Sequence, residues 1–312
     1  MKRGQYYRSN RKVHLKPRFF IILSVILLIV AGAAVASVLM IKKYDAEEEA
    51  AAQAEAAAAM TGLSGSFQPA ASAGVLQQAA NEQKKGGGPK VNAELRAKMD
   101  EVKAKLAADD TADLKVVFFT FDDGPSEHTG EILDLLRKYN IKATFFTNGR
   151  EGPVMEEAYR RIVDEGHTLA NHTWSHQYSL YKDPAAFYAD VEKLDAYQKQ
   201  VTGLKQTSHL FRFPGGSLNA NATCTQGILD RGYNYVDWNV VCGDGTSNSL
   251  SVEQLTKNFI EGVHGHNVST VLCHAEQKDN TRKALDKTFK TLLKEGYTFL
   301  PMEYDMELPR QI

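Results

Sequence analysis

Val116-Val117-Phe118-Phe119-Thr120-Phe121-Asp122-Asp123-Gly124-Pro125-Ser126 is an apolar run that ends in two acids. The run Val116–Phe121 has the length and composition of a strand buried on both faces. Carboxylates withdrawn from water cost several kcal/mol unless a metal, a cation or hydrogen bonds compensate. Gly124 and Pro125 stop the strand and turn the chain. Neighbouring strand residues point to opposite faces, so both acids can serve one site only where the strand is ending. The stretch therefore predicts an active site at a strand end.

From Lys115 onward, short apolar runs alternate with helical patterns. The runs are Val116–Phe121, Ala143–Thr147, Thr168–Ala170, His209–Phe213, Tyr235–Val240, Thr270–Cys273 and Tyr297–Leu300. Helical patterns fall between them, which predicts a parallel α/β architecture. Periodicity alone does not separate an open sheet from a barrel. The polar residues favour a barrel: Asp122, Asp123, His172, Arg212, Asp237 and His274 lie in or just after five different runs. The C-terminal strand ends of a β/α barrel converge on one face. We therefore expect a distorted seven-stranded β/α barrel with incomplete closure.

His172 and His176 are four apart, a spacing that puts both imidazoles on one side of a helical turn. Asp123 supplies an oxygen ligand. Two histidines and a carboxylate leave positions open for water and substrate, as a catalytic divalent metal requires. Zinc is the default ion, and cobalt, nickel and manganese also suit these donors. Asp122 is then free to act as a general base, to serve as a second ligand, or to cap the turn.

Five stretches in order resemble the motifs of the polysaccharide deacetylases, the NodB-type enzymes of carbohydrate esterase family 4. They are Thr120–Ser126, His172-Thr173-Trp174-Ser175-His176, Arg212-Phe213-Pro214-Gly215-Gly216, Asp237-Trp238 and Leu272-Cys273-His274. The likeness runs from Lys115 to Tyr304. It implies a distorted barrel and metal-dependent removal of acetyl groups from N-acetylated sugars. It makes Asp122 the base and Asp123, His172 and His176 the metal ligands. Thr173 would brace the histidine loop. Arg212 would pair with the base and lower its pKa. Pro214 would shape the following loop, and the Gly215 N–H would be an oxyanion donor. His274 would protonate the leaving amine, with Asp237 orienting and charging its ring. Trp238 and Leu272 would line the pocket for the acetyl methyl group. Two positions depart from the family pattern. Gly215 stands where an aromatic residue is frequent, which predicts an opened groove wall, and Ala275 stands where an Asp often follows the histidine.

Outside the domain the chain is uneven. The formal net charge of -1 gives no ground for a nucleic-acid partner. Residues 1–18 are basic and 19–41 carry no charge, long enough to span a membrane with the N-terminus in the cytoplasm. Ala34-Val35-Ala36 leaves secretion after signal cleavage as the alternative. Residues 42–91 read as an Ala/Glu stalk and a flexible linker. Residues 92–114 read as a helical lead-in, with Asn92 as N-cap and Leu95, Met99, Val102 and Leu106 as its stripe. Residues 115–304 make the domain and 305–312 a tail. Of the three cysteines, Cys224 and Cys242 leave a disulfide open. A domain tethered outside a walled cell would meet N-acetylated cell-wall polysaccharide, peptidoglycan first. Chitin oligomers, poly-N-acetylglucosamine and acetylxylan are alternative substrates, and an inactive wall-binding module is the non-enzyme alternative.

Overall fold

The structure, a computed structural model, describes residues 88–247 and 249–311. The expected anchor at 19–41 and the stalk lie outside the described residues. Among the described residues no helix is long and apolar enough to cross a membrane.

Among the described residues eight parallel strands form one sheet. They are β1 (Val116–Gly124), β2 (Thr144–Thr147), β3 (Thr168–Asn171), β4 (Leu210–Phe211), β5 (Asn234–Tyr235), β6 (Val240–Val241), β7 (Val268–Cys273) and β8 (Thr298–Phe299). Their order is β5-β4-β3-β2-β1-β7-β6. β8 pairs with the start of β1, through Val116 and Val117, while β2 pairs with its end. The helices are α1 (Ala93–Ala107), α2 (Thr129–Lys138), α3 (Pro153–Asp164), α4 (Pro184–Thr202), α5 (Ala222–Asp230), α6 (Val252–His264) and α7 (Asp279–Lys294).

The expected strand count of seven is corrected to eight. The fifth apolar run, Tyr235–Val240, is two strands, β5 and β6, at opposite edges of the sheet. No ladder joins these edges among the described residues, so this is the gap in a curled half-barrel. The chain from 236 to 239 crosses it. The C-terminal residues fill the seam and are not a free tail. The Asp237 N–H donates to the Pro309 carbonyl at 2.8 Å, and Arg310 Nη2 donates to Asn234 Oδ1 at 2.6 Å.

Strand parity explains the two cores. Val117, Phe119 and Phe121 face outward and pack on α2, α6 and α7 through Leu133, Phe259 and Phe289. Val116 and Phe118 face inward with Phe146, Leu210 and Val236. Met99 and Val102 of α1 join this inner cluster, so α1 plugs the N-terminal end of the barrel. Its N-cap is as expected, with the Leu95 N–H donating to Asn92 Oδ1 at 2.8 Å. Each plug side chain, fully buried, removes apolar surface worth about 1.5–3 kcal/mol from water. The helical lead-in is thus part of the folded domain. Thr120 and Asp122 continue the inner column upward to the opposite mouth.

Candidate active site

Asp122 ends the inward column and is 2% exposed. Asp123, by parity, should point outward. A register shift between Asp122 and Gly124 makes it the extra residue of a β-bulge, with φ at +71°. A bulge re-aims a side chain, and both acids line one cavity of about 460 Å³. The device that brings two neighbours to one centre is this bulge, one residue earlier than the Gly124-Pro125 break.

Arg212 is wholly buried just beyond β4. Its Nη1 donates to Asp122 Oδ1 at 2.8 Å and to Thr120 Oγ1 at 2.6 Å. Nε and Nη2 donate to the carbonyls of Val236 and Asp237. The guanidinium also lies 4.0 Å from the Phe146 ring centroid. Arg212 pairs with Asp122 as expected, but the expected fall in the acid's pKa is corrected. Burial raises the Asp122 carboxyl above the usual range, against the pull of Arg212, His274 and His176.

His172 follows β3 and His176 lies in the loop beyond it. The expected helical turn is absent: Thr173 and His176 have φ of +66° and +55°. Hydrogen bonds hold the loop instead. The His176 N–H donates to Thr173 Oγ1 at 3.0 Å, the brace expected of Thr173. Asn148 Nδ2 donates to the His172 and Thr173 carbonyls, and the Ser175 N–H donates to Asp190. His172 Nδ1 meets the Arg212 carbonyl at 2.7 Å, which as an N–H donor leaves Nε2 with its lone pair facing the cavity. Burial pushes this imidazole down to about 3 and keeps it neutral.

Asp123 Oδ1 lies 3.2 Å from His176 Nε2 and 3.7 Å from His172 Nε2. Donor atoms of the three residues lie within 4.8 Å of one another. Asp123 Oδ1 is buried and accepts no hydrogen bond among the described residues. An orphaned carboxylate oxygen beside two imidazole nitrogens is costly without a cation, so these residues fit a divalent ion.

The partner of His274 differs from the expectation. Asp244 Oδ1 accepts from His274 Nδ1 at 2.9 Å, and Asp244 Oδ2 accepts from the His274 N–H at 2.8 Å. Burial of the ring opposes protonation, but Asp244, with Asp122 and Asp123, holds the imidazole above its ordinary value. Asp244 itself is below its ordinary value, because His274 outweighs the cost of burial. Asp237 does a different job. Its carboxylate accepts from the Ser217 N–H at 2.9 Å, Ser217 Oγ at 2.6 Å and the Gln311 N–H at 2.8 Å, tying the seam. The physical reason is the split of the fifth run: Asp237 lies in the gap crossing, whereas Asp244 lies just past the end of β6. Reading Val240-Val241-Cys242 as its own strand would have found Asp244 by the same rule that found His274.

Gly215, Trp238 and Leu272 line the cavity with Tyr178, Gly245, Thr246 and Gln277. Pro214 is buried behind Gly215, its carbonyl accepting from the Tyr181 hydroxyl at 2.9 Å, so it is support and not wall. Gly215 has φ at +73°, and a Cβ there would lie 2.7 Å from Tyr178 Cε1. The wall expected to be open is therefore occupied by Tyr178 from the histidine loop. Glu276 also escaped sequence reasoning. It is buried under the turn after the two acids, with Oε2 accepting from Ser126 Oγ at 2.6 Å and Thr129 Oγ1 at 2.8 Å. Burial raises its carboxyl to about 7. Cys224, Cys242 and Cys273 are all buried and free, so the disulfide left open is not formed.

A buried carboxylate, a charged acid–imidazole pair and a His₂-carboxylate donor set at one barrel mouth define the class, a metal-assisted hydrolytic centre for acyl transfer. The comparisons carry this further. The polysaccharide deacetylase family profile matches residues 109–236. The catalytic domain of a peptidoglycan N-acetylglucosamine deacetylase from Eubacterium rectale superposes with a TM-score of 0.59 at 36% identity, over 64% of this chain and 94% of that one. A peptidoglycan-N-acetylglucosamine deacetylase of Bacillus cereus is 29% identical over 187 residues, 60% of this chain and 85% of the relative. The peptidoglycan-N-acetylmuramic acid deacetylase PdaA of Bacillus subtilis is 28% identical over 201 residues, 62% and 74% of the two chains. This chain belongs to the polysaccharide deacetylase family, and its activity is that of a hydrolase acting on amide bonds.

Proposed function

We propose that this protein removes N-acetyl groups from peptidoglycan N-acetylglucosamine, releasing acetate and leaving free amines on the sugar. The observation that carries the reading is the convergence of Asp122, the Asp123–His172–His176 set and His274 on one cavity. The relatives named above act on peptidoglycan by their names, which favours that polymer over chitin oligomers, poly-N-acetylglucosamine and acetylxylan. Asp123, His172 and His176 would hold the ion, taken as zinc. Bound there, a divalent ion acidifies water and polarises a carbonyl. Asp122 takes the proton from the attacking water, and Arg212 keeps its carboxyl aimed. The Gly215 N–H meets the charge that develops on the acetyl oxygen. His274, held protonated by Asp244, gives its proton to the departing amine. Trp238 and Leu272 enclose the methyl group.

The basic residues 1–18 and the apolar run 19–41 support anchoring in the cell membrane with this domain facing the wall. Secretion after cleavage is the other reading. The test of function is direct: purified sacculi incubated with the protein and zinc should release acetate and gain free amines on glucosamine. Absence of both under several divalent ions, with the fold intact, would sink the proposal.

A further inference from the structure

We propose that Tyr178 is a substrate-binding residue of this enzyme, a stacking platform for the sugar next to the one that loses its acetyl group. The inference rests on the reading above as a polysaccharide deacetylase and extends it to how the polymer is held. Three observations carry it. The first is placement. Tyr178 lines the catalytic cavity and also a second cavity of about 410 Å³, bordered by Tyr181, Asn219 and Asn221. Its side chain is shared by the walls of both. A polymer whose reacting sugar sits at Asp122 and His274 would pass over this ring on one side.

The second is the space beside Gly215. With φ at +73°, that position disfavours side chains, and any Cβ would meet the Tyr178 ring at 2.7 Å. The wall is thus made by a residue from a different loop, five residues beyond Thr173 and outside the five motif stretches. Trp238 approaches Gly216 in the same way, its Cη2 lying 2.9 Å from where a Cβ would be. Two consecutive glycines therefore admit two aromatic rings against one strip of backbone.

The third is the state of the ring. Tyr178 is 54% exposed, yet it is held on two sides. Its centroid is 5.6 Å from that of His176 at 74° and 6.5 Å from that of Tyr181. The floor of the second cavity is also pre-formed. Asn219 Nδ2 donates to the Gly215 carbonyl at 2.6 Å, and Asn221 Nδ2 donates to the Tyr181 carbonyl at 2.6 Å. An exposed aromatic face matches the C–H face of a pyranose ring, and an aromatic side chain spends little entropy in presenting it.

The test uses full-length zinc-loaded protein and N-acetylglucosamine oligomers of two to six sugars. Tyr178→Ala should lower kcat/KM on the longest oligomer roughly tenfold more than on the disaccharide, mainly through KM. Tyr178→Phe should stay within about threefold of the parent at every length, because the ring face is kept. Tyr178→Leu fills the space over Gly215 without an aromatic face and should behave like the Ala variant, which guards against loss of fold. An equal loss at all lengths would overturn the inference, as would a fall in zinc affinity that accounts for the lost activity, since Tyr178 would then be supporting His176. No acetate from any oligomer or from sacculi with the parent protein would overturn the functional reading and this inference with it. Turnover by the parent with a length-independent effect of Tyr178→Ala would overturn this inference alone.

Discussion

Replacing Asp244 by Asn tests the acid half of the site. Asp244 and His274 meet at 2.9 Å with side chains 4% and 18% exposed. Opposite unit charges at about 4 Å in such surroundings attract by about 4 kcal/mol before desolvation is deducted. Removing one partner of a buried pair typically costs about 3–5 kcal/mol, much of it the stranded charge. His274 would escape that cost by losing its proton. The sign follows. In the parent, Asp244 outweighs burial and holds the imidazole above its ordinary value. The acid therefore stays charged to higher pH, and activity falls as pH rises through that raised value. In Asp244→Asn only Asp122 and Asp123 still oppose burial, so the alkaline limb moves to lower pH. Near neutrality kcat should drop by about 10²-fold or more, the usual worth of a general acid. The assay is acetate release against pH for the parent, Asp244→Asn and Asp237→Asn. Asp237→Asn should leave the alkaline limb where it is and instead lower the melting temperature, because it loosens Ser217 and Gln311. A limb that moves in Asp237→Asn and stays in Asp244→Asn would refute the assignment.

Other outcomes follow from the same geometry. Glu276 is held at about 7 against an ordinary 4.5, so its raised folded value favours the native state at low pH. That contribution is lost as pH rises from about 4.5 to about 7, and Glu276→Gln should flatten the decline in melting temperature across this window. Met99→Ala should destabilise the domain by about 2–5 kcal/mol in urea unfolding, because α1 plugs the barrel. An unchanged midpoint would mean the plug is dispensable. His176→Ala should weaken zinc binding, read by competition with a chelating dye, while leaving the fold intact by circular dichroism. Gly215→Ala should cost about 10²-fold in kcat, since it must displace Tyr178 or distort the oxyanion donor.

The chain's one-dimensional pattern carried the chemistry that is local. Asp122 and Asp123 end one strand, and His172 and His176 share one loop, so their proximity needs only a few backbone angles. Apolar runs of strand length ending in polar groups were enough to predict a parallel, barrel-like sheet with its site at the C-terminal face. The pairing of Arg212 with Asp122 was also legible, through resemblance, because both sit at strand ends of that face.

What the sequence did not reveal depends on which strand lies beside which. Tyr235–Val240 reads as one apolar run, and nothing local shows that the sheet parts within it. Strand pairing is set by long-range packing, here by Val236 turning into the core and by residues 309–311 entering the seam. That split takes Asp237 away from His274 and presents Asp244 in its place. The bulge that turns Asp123 is likewise a property of β1 against β2, and the Tyr178 wall exists only because two loops meet over a glycine. Residue types and spacings determined which groups are available for catalysis. Three-dimensional contacts, formed between segments far apart in the chain, determined which of them work together.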